Sequence, residues 1–132
     1  MVEGFNPLRW KCAKDGCFNI LRRPKIEVFA DCFPRRINFG DLDGIVELNG
    51  RFCILEWKGS GGTIAVGQKR LFARFTSVIG NVVFVVCGDA ETMTITGYSF
   101  FWAGVQHPFI KSGLDGLKER VRKWAGLAET RL

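Results

Sequence analysis

Hydrophobic and polar positions change period several times along this chain, and each change marks an element. Residues 1–22 show no clear period. Ile26, Phe29, Ala30 and Phe33 then fall at i, i+3, i+4 and i+7, which predicts a short helix. Pro24 suits its first turn and Pro34 ends it. From Ile37 the period becomes that of strands, and Asn49-Gly50 is the two-residue signature of a type I′ hairpin turn. Residues 37–48 and 51–58 are therefore expected to be the two arms of a hairpin. A glycine-rich stretch, Gly59-Ser60-Gly61-Gly62, reads as a mobile loop. Helical spacing returns over 66–79, with Leu71, Phe72, Phe75, Val78 and Ile79 directed inward and Gly80-Asn81 as the stop. Val82–Cys87 is a β-branched apolar run of the kind found in a buried central strand. Thr92–Thr96 alternates and predicts another strand, reaching towards Trp102. A last helix opens at Ser112 and turns Leu114, Leu117, Val121 and Trp124 inward. The expected order is α-β-β-α-β-β-α: an α/β (α+β mixed) fold, with helices flanking a mixed sheet in one domain over 1–132.

The hairpin register brings particular side chains together. A two-residue turn at Asn49-Gly50 sets Glu56 opposite Asp43 and Lys58 opposite Asp41. Because side chains alternate along a strand, Asp41, Asp43, Ile45 and Glu47 share one face with Phe52, Ile54, Glu56 and Lys58. The other face carries Leu42, Val46 and Leu48 with Cys53, Leu55 and Trp57. A bulge near Gly40 or Gly44 would shift this register by one residue. Two carboxylates across a ladder, about 5 Å apart, repel by roughly 3 kcal/mol at an effective dielectric near 20. A divalent ion reverses that sign, and oxygen donors of this kind suit Mg²⁺ or Mn²⁺. The alternative is a surface ladder in which Asp43 and Glu56 splay into water and Lys58 pairs with Asp41.

Charge extends this picture. The 132 residues carry 19 Lys/Arg against 13 Asp/Glu, for a net charge of +6. Residues 37–63 are nevertheless acidic, at −2, between a +4 segment before them and a +3 segment at 64–80. An acidic island in a basic chain is the layout of a metal site within a phosphate-binding surface. With 47% hydrophobic and 24% charged residues, the composition excludes a disordered or collagen-like chain. The longest strictly apolar run, Val82–Cys87, is too short to span a bilayer, so no membrane association is expected. Met1–Phe5 lacks the layout of a signal peptide, and five scattered cysteines argue against a disulfide framework. These features together point to the cytoplasm.

Asp43, twelve residues before Glu56-Trp57-Lys58, resembles the acidic motif of the PD-(D/E)XK nuclease superfamily. Gly40-Asp41-Leu42-Asp43 is similar to its G-x-x-D element, and Gln68 with Phe72 to its Q-x-x-x-(Y/F) element. Glu27 occupies the place where several members, including archaeal-type Holliday junction resolvases, carry a further acid. The resemblance covers residues 24–87. No proline precedes the aspartate, so the assignment between Asp41 and Asp43 stays open. The resemblance implies a restriction-endonuclease-like core and a Mg²⁺-dependent (or Mn²⁺-dependent) endonuclease that hydrolyses DNA. In it Asp43, Glu56 and the Trp57 carbonyl bind metal, and Lys58 acts on the attacking water. Gln68 fixes Lys58 or contacts substrate, while Lys69, Arg70 and Arg74 grip the phosphate backbone. The small size favours DNA structure over a long sequence as the feature recognised. A homodimeric junction resolvase and a phage-type processing nuclease both fit. The alternatives are a non-catalytic nucleic-acid-binding module on the same fold and an RNA-directed nuclease.

Other candidates fit ordinary structural roles better. Cys12, Cys17, Cys32 and His107 lack the paired spacing of structural zinc, so no zinc is expected. Cys53 and Cys87 read as small core residues and His107 as a loop residue. Of Trp10, Trp57, Trp102 and Trp124, only Trp10 is a good candidate for exposure.

Overall fold

The computed structural model describes residues 25–59 and 63–130. Expectations that fell on residues 1–24, on Ser60–Gly62 and on Cys12, Cys17 and Trp10 lie outside them. Two compact units make up the chain, Met1–Gly40 and Asp41–Leu132.

In the first unit the expected helix is a 3-10 helix, Ile26–Cys32, with no buried residue. Its aromatic residues do not form an inward stripe; Phe29 and Phe33 meet Phe39 edge-on, at 5.7 and 5.3 Å between ring centroids. Seven residues provide too few i→i+4 bonds to offset the cost of an α-helical nucleus, and i→i+3 bonding is the usual outcome for so short a piece.

The second unit is a five-stranded mixed sheet with one helix on each face. Its elements are β1 (Gly44–Leu48), β2 (Arg51–Lys58), α1 (Val66–Thr76), β3 (Val82–Asp89), β4 (Thr94–Trp102), β5 (Val105–Lys111) and α2 (Leu114–Glu129). The strands lie in sequence order, with β2 and β3 parallel and every other pair antiparallel. β3 is central and almost wholly buried, as its apolar run requires. Period-2 alternation divides its side chains between two cores. Val83 and Val85 pack with Ile54, Phe101 and Phe72 of α1. Val82, Phe84 and Val86 pack with Cys53, Tyr98 and Leu117, Trp124 and Ala128 of α2. No helix among the described residues is long and apolar enough to cross a membrane.

Several element boundaries differ from expectation, each for a local reason. The first hairpin arm is shorter than 37–48, because the ladder stops at Gly44. There the Asp43 carboxylate takes the Trp57 N–H that a backbone carbonyl would otherwise accept. α1 ends at Thr76 rather than 79, where the Thr76 and Ser77 hydroxyls bond the carbonyls of Phe72 and Arg74 at 2.7 and 2.6 Å. Val78 and Ile79, beyond the helix end, are exposed, as is Leu71 within it. α2 begins at Leu114, which is exposed, rather than at Ser112. β5 was not expected at all. It follows a second tight turn in which Ala103 and Gly104 both have positive φ, 54° and 81°. Pro108 suggests a break in the sequence, yet an edge strand tolerates a missing N–H. His107 therefore belongs to a strand and stacks on Phe100 at 4.5 Å.

Asn81, which reads in the sequence as a helix stop, is a buried clamp. Its side-chain oxygen accepts the Phe52 N–H, and its nitrogen donates to the Phe75 carbonyl, both at 3.0 Å. Asn81→Ala leaves a donor and an acceptor unpaired at the start of the parallel pair. Urea unfolding should show a loss of about 2 kcal/mol with an unchanged m-value; a loss under about 0.5 kcal/mol would mean that water replaces the amide.

Candidate functional site

β2 is the strand that carries the chemistry. The register expected from Asn49-Gly50 is present: Gly44 faces Leu55, Ile45 faces Ile54 and Leu48 faces Arg51. Asn49 and Gly50 take the positive φ values of that turn, 55° and 82°. Continued by one residue, the ladder sets Asp43 against Glu56, where β1 has just ended. Glu56 and Lys58 lie on the α1 side of the sheet with Ile54, and Trp57 lies on the α2 side, its indole donating to the Gly88 carbonyl at 3.1 Å.

Glu56 is 7% exposed, which is unusual for a carboxylate. Its Oε2 accepts the Gln68 side-chain N–H at 3.0 Å and lies 3.4 Å from the Lys58 ammonium. Lys58 donates to Gln68 Oε1 at 2.7 Å. The Gln68 amide therefore has one workable orientation, since its oxygen must meet a pure donor and its nitrogen a pure acceptor. Helical geometry places it there: Gln68 stands one turn before the buried Phe72, on the first turn of α1. Glu56 Oε1, by contrast, is buried and has no hydrogen-bond partner.

Asp43 completes the edge of this group. Its Oδ2 accepts the Trp57 backbone N–H. Within a strand, the N–H and C=O of one residue point the same way. The Trp57 carbonyl thus opens on the side where β1 has ended and no ladder bond takes it. Among the described residues no cluster of three or more His, Cys, Asp or Glu converges on a point. The oxygen donors gathered here are two carboxylates and one backbone carbonyl. Mg²⁺ commonly uses one or two carboxylates and fills its remaining positions with water and phosphate oxygens, so this donor set fits it.

The chain was compared with known proteins. No family model, no curated protein and no solved structure matches it. The site therefore has to be read from its own geometry.

That geometry joins Glu56, Lys58 and Gln68 directly and sets Asp43 opposite Glu56 at the end of the ladder. Lys69 lines a cleft of about 460 Å³ beside the network. Arg70 and Arg74 are exposed, on the opposite face of α1 from Phe72 and Thr76. Glu27 lies on the 3-10 helix of the first unit. Sequence reasoning missed Ser99 and Gln106, which line the same cleft from β4 and β5. Only the Ala103-Gly104 turn could have signalled the strand that carries Gln106.

The difference between the two aspartates can be tested without assuming any activity. Asp43→Ala removes the acceptor of the Trp57 amide, whereas Asp41 is exposed and lies outside the ladder. Hydrogen exchange at the Trp57 amide should accelerate about tenfold in Asp43→Ala and stay unchanged in Asp41→Ala. Equal rates in the two variants would mean that the ladder does not end at Asp43.

Proposed function

We propose that this chain is a metal-dependent endonuclease that hydrolyses DNA phosphodiester bonds on a restriction-endonuclease-like core, selecting DNA structure rather than a long sequence. The observation that carries the reading is one buried carboxylate with divided duties. Glu56 gives Oε2 to Lys58 and Gln68 while Oε1 has no partner, at the strand end where Asp43 and the Trp57 carbonyl also open. A carboxylate that served packing alone would cost several kcal/mol to bury and would be expected to satisfy both oxygens. The surrounding charge suits the substrate, since α1 carries Lys69, Arg70 and Arg74 and no acid.

In this reading Asp43, Glu56 and the Trp57 carbonyl would hold Mg²⁺ or Mn²⁺. Such an ion lowers the pKa of bound water and polarises the scissile phosphate. Lys58, 3.4 Å from the Glu56 carboxylate, would orient the attacking water and balance charge on the phosphoryl oxygens in the transition state. Gln68 is a positioning residue that holds Lys58 through its carbonyl oxygen. Lys69 meets the strand beside the scissile phosphate, and Arg70 and Arg74 provide more distant phosphate contacts.

Two variants test the proposal. Glu56→Gln retains an acceptor for Gln68 but loses one charge at the metal position. It should abolish Mg²⁺-dependent cleavage of a panel of single strands, duplexes, flaps and four-way junctions, with Tm within about 5 °C of the parent. Unchanged turnover would overturn the assignment of Glu56 to the metal.

Lys58→Met keeps the stem and removes the ammonium. Single-turnover cleavage in Mg²⁺ should fall 10²-fold or more, about 2.7 kcal/mol of barrier, while DNA affinity in Ca²⁺ changes little. Lys69→Ala should do the reverse, weakening binding and lowering the salt slope by about one. A Lys58→Met protein that binds tenfold worse yet cuts normally at saturation would make Lys58 a phosphate clamp.

A further inference from the structure

The cleft beside the Glu56 network carries a second set of groups. It lies on the same side of the sheet, because Glu56 pairs with Val85, Lys58 with Cys87, and Val85 in turn with Ser99. Its floor is Val85, Cys87 and Ser99, and around it stand Lys69, Gln106 and Phe109. Ser99 is 8% exposed, and its hydroxyl lies 3.5 Å from the Gln106 amide nitrogen. Phe109 is the unusual member. A Cβ placed on Gly97 would meet the Phe109 ring at 2.2 Å, so the ring lies directly on the strand backbone there. It is held from below, yet it remains 53% exposed.

A supported but exposed aromatic ring, an amide, a buried hydroxyl and a lysine surround a cleft of about 460 Å³. That volume falls in the range of pockets for one small organic ligand. We infer that this cleft binds one unpaired nucleotide of a DNA strand next to the scissile phosphate. The base stacks on Phe109, its edge meets Gln106 and Ser99, and Lys69 takes a phosphate. A base inside a duplex has both faces covered and its edge paired, so it offers nothing to such a set of groups. The substrate class then narrows to DNA with a single-stranded nucleotide at the cut, such as a flap, an extension or an open junction. This inference rests on the nuclease reading for its choice of ligand, but its test does not depend on turnover.

The probe is an oligonucleotide carrying 2-aminopurine at one position, either unpaired in a single-strand extension or paired within the duplex. Both forms are titrated in Ca²⁺, and cleavage of the same molecules is followed in Mg²⁺. Binding should quench the unpaired probe and leave the paired one unchanged. Phe109→Ala should remove the quench and lower the ratio of extension to duplex affinity about tenfold, the size expected for one stacked base. Phe109→Trp should restore both, which separates loss of stacking from loss of fold. Gln106→Ala, at an exposed position of the edge strand, should lower the same ratio without removing the quench. An unquenched probe, or a Phe109→Ala protein with the parental ratio and a parental melting temperature, overturns the pocket. If cleavage proceeds in that case, the nuclease reading stands without it. Quenching that depends on Phe109, with no cleavage of any substrate in Mg²⁺, keeps the pocket and overturns the nuclease reading.

Discussion

A carboxylate carried into the interior by a strand has to be neutralised by its surroundings, and Glu56 imposes that condition on this fold. The strand period that buries Ile54 on the α1 side also turns Glu56 and Lys58 to that side. The ammonium therefore arrives with the carboxylate, two residues along the same strand and 3.4 Å away. Gln68 comes from a different element and bonds both. Its place depends on α1 lying against the sheet through Phe72, which is 1% exposed. The apolar core and the polar network thus support one another. Packing of Phe72 sets the height of Gln68 over the strand, and Gln68 completes the neutralisation that makes the buried Glu56 tolerable.

Under the proposed metal reading, the same condition makes Lys58 and a divalent cation something other than simple alternatives. Lys58 and Gln68 both approach Oε2, while Oε1 is buried and has no hydrogen-bond partner. In the proposed reading, an ion held by Oε1 would add to the lysine rather than displace it. Two cationic groups on one carboxylate are favourable only if a further anion is present. A phosphodiester is such an anion. With such an ion bound, the proposed site would be short of negative charge until a phosphodiester arrived, which suits binding driven by phosphate.

Much of this was legible in the sequence because it follows from short-range rules. Asn49-Gly50 accepts positive φ at both positions, so the register of β1 and β2 could be counted outward from the turn, and with it the facing of Glu56 and Lys58. Val82–Cys87 announced the central strand by its composition. The parts that could not be read depend on side chains replacing backbone partners. Asp43 ends a ladder, Asn81 closes the gap between β2 and α1, and Thr76 and Ser77 draw off helix carbonyls. Nothing in a hydrophobic pattern distinguishes such a polar residue from one that faces water. β5 was hidden by Pro108 and by the register shift opposite β4, which interrupts the alternation that identifies a strand.

The position of the site along β2 follows from topology. β2 and β3 form the parallel pair of the sheet, and α1 is the crossover between them. Gln68, on the first turn of α1, bonds both Lys58 and Glu56, so that turn lies over the carboxyl end of β2. Hairpins connect β1 to β2 and β3 to β4, which carry the chain away on both sides. The strands keep their sequence order across the sheet, and a crevice lined by Lys69, Val85 and Cys87 lies on the α1 side beside this crossover. Glu56 and Lys58 are the last side chains of β2 to face α1 before that crevice. A carboxylate earlier in the strand, at Ile54, would sit beneath Phe72 and Phe101 with no route to solvent or substrate. At Glu56 the burial is deep enough to strengthen the electrostatics, and the strand ends only two residues later, at Lys58.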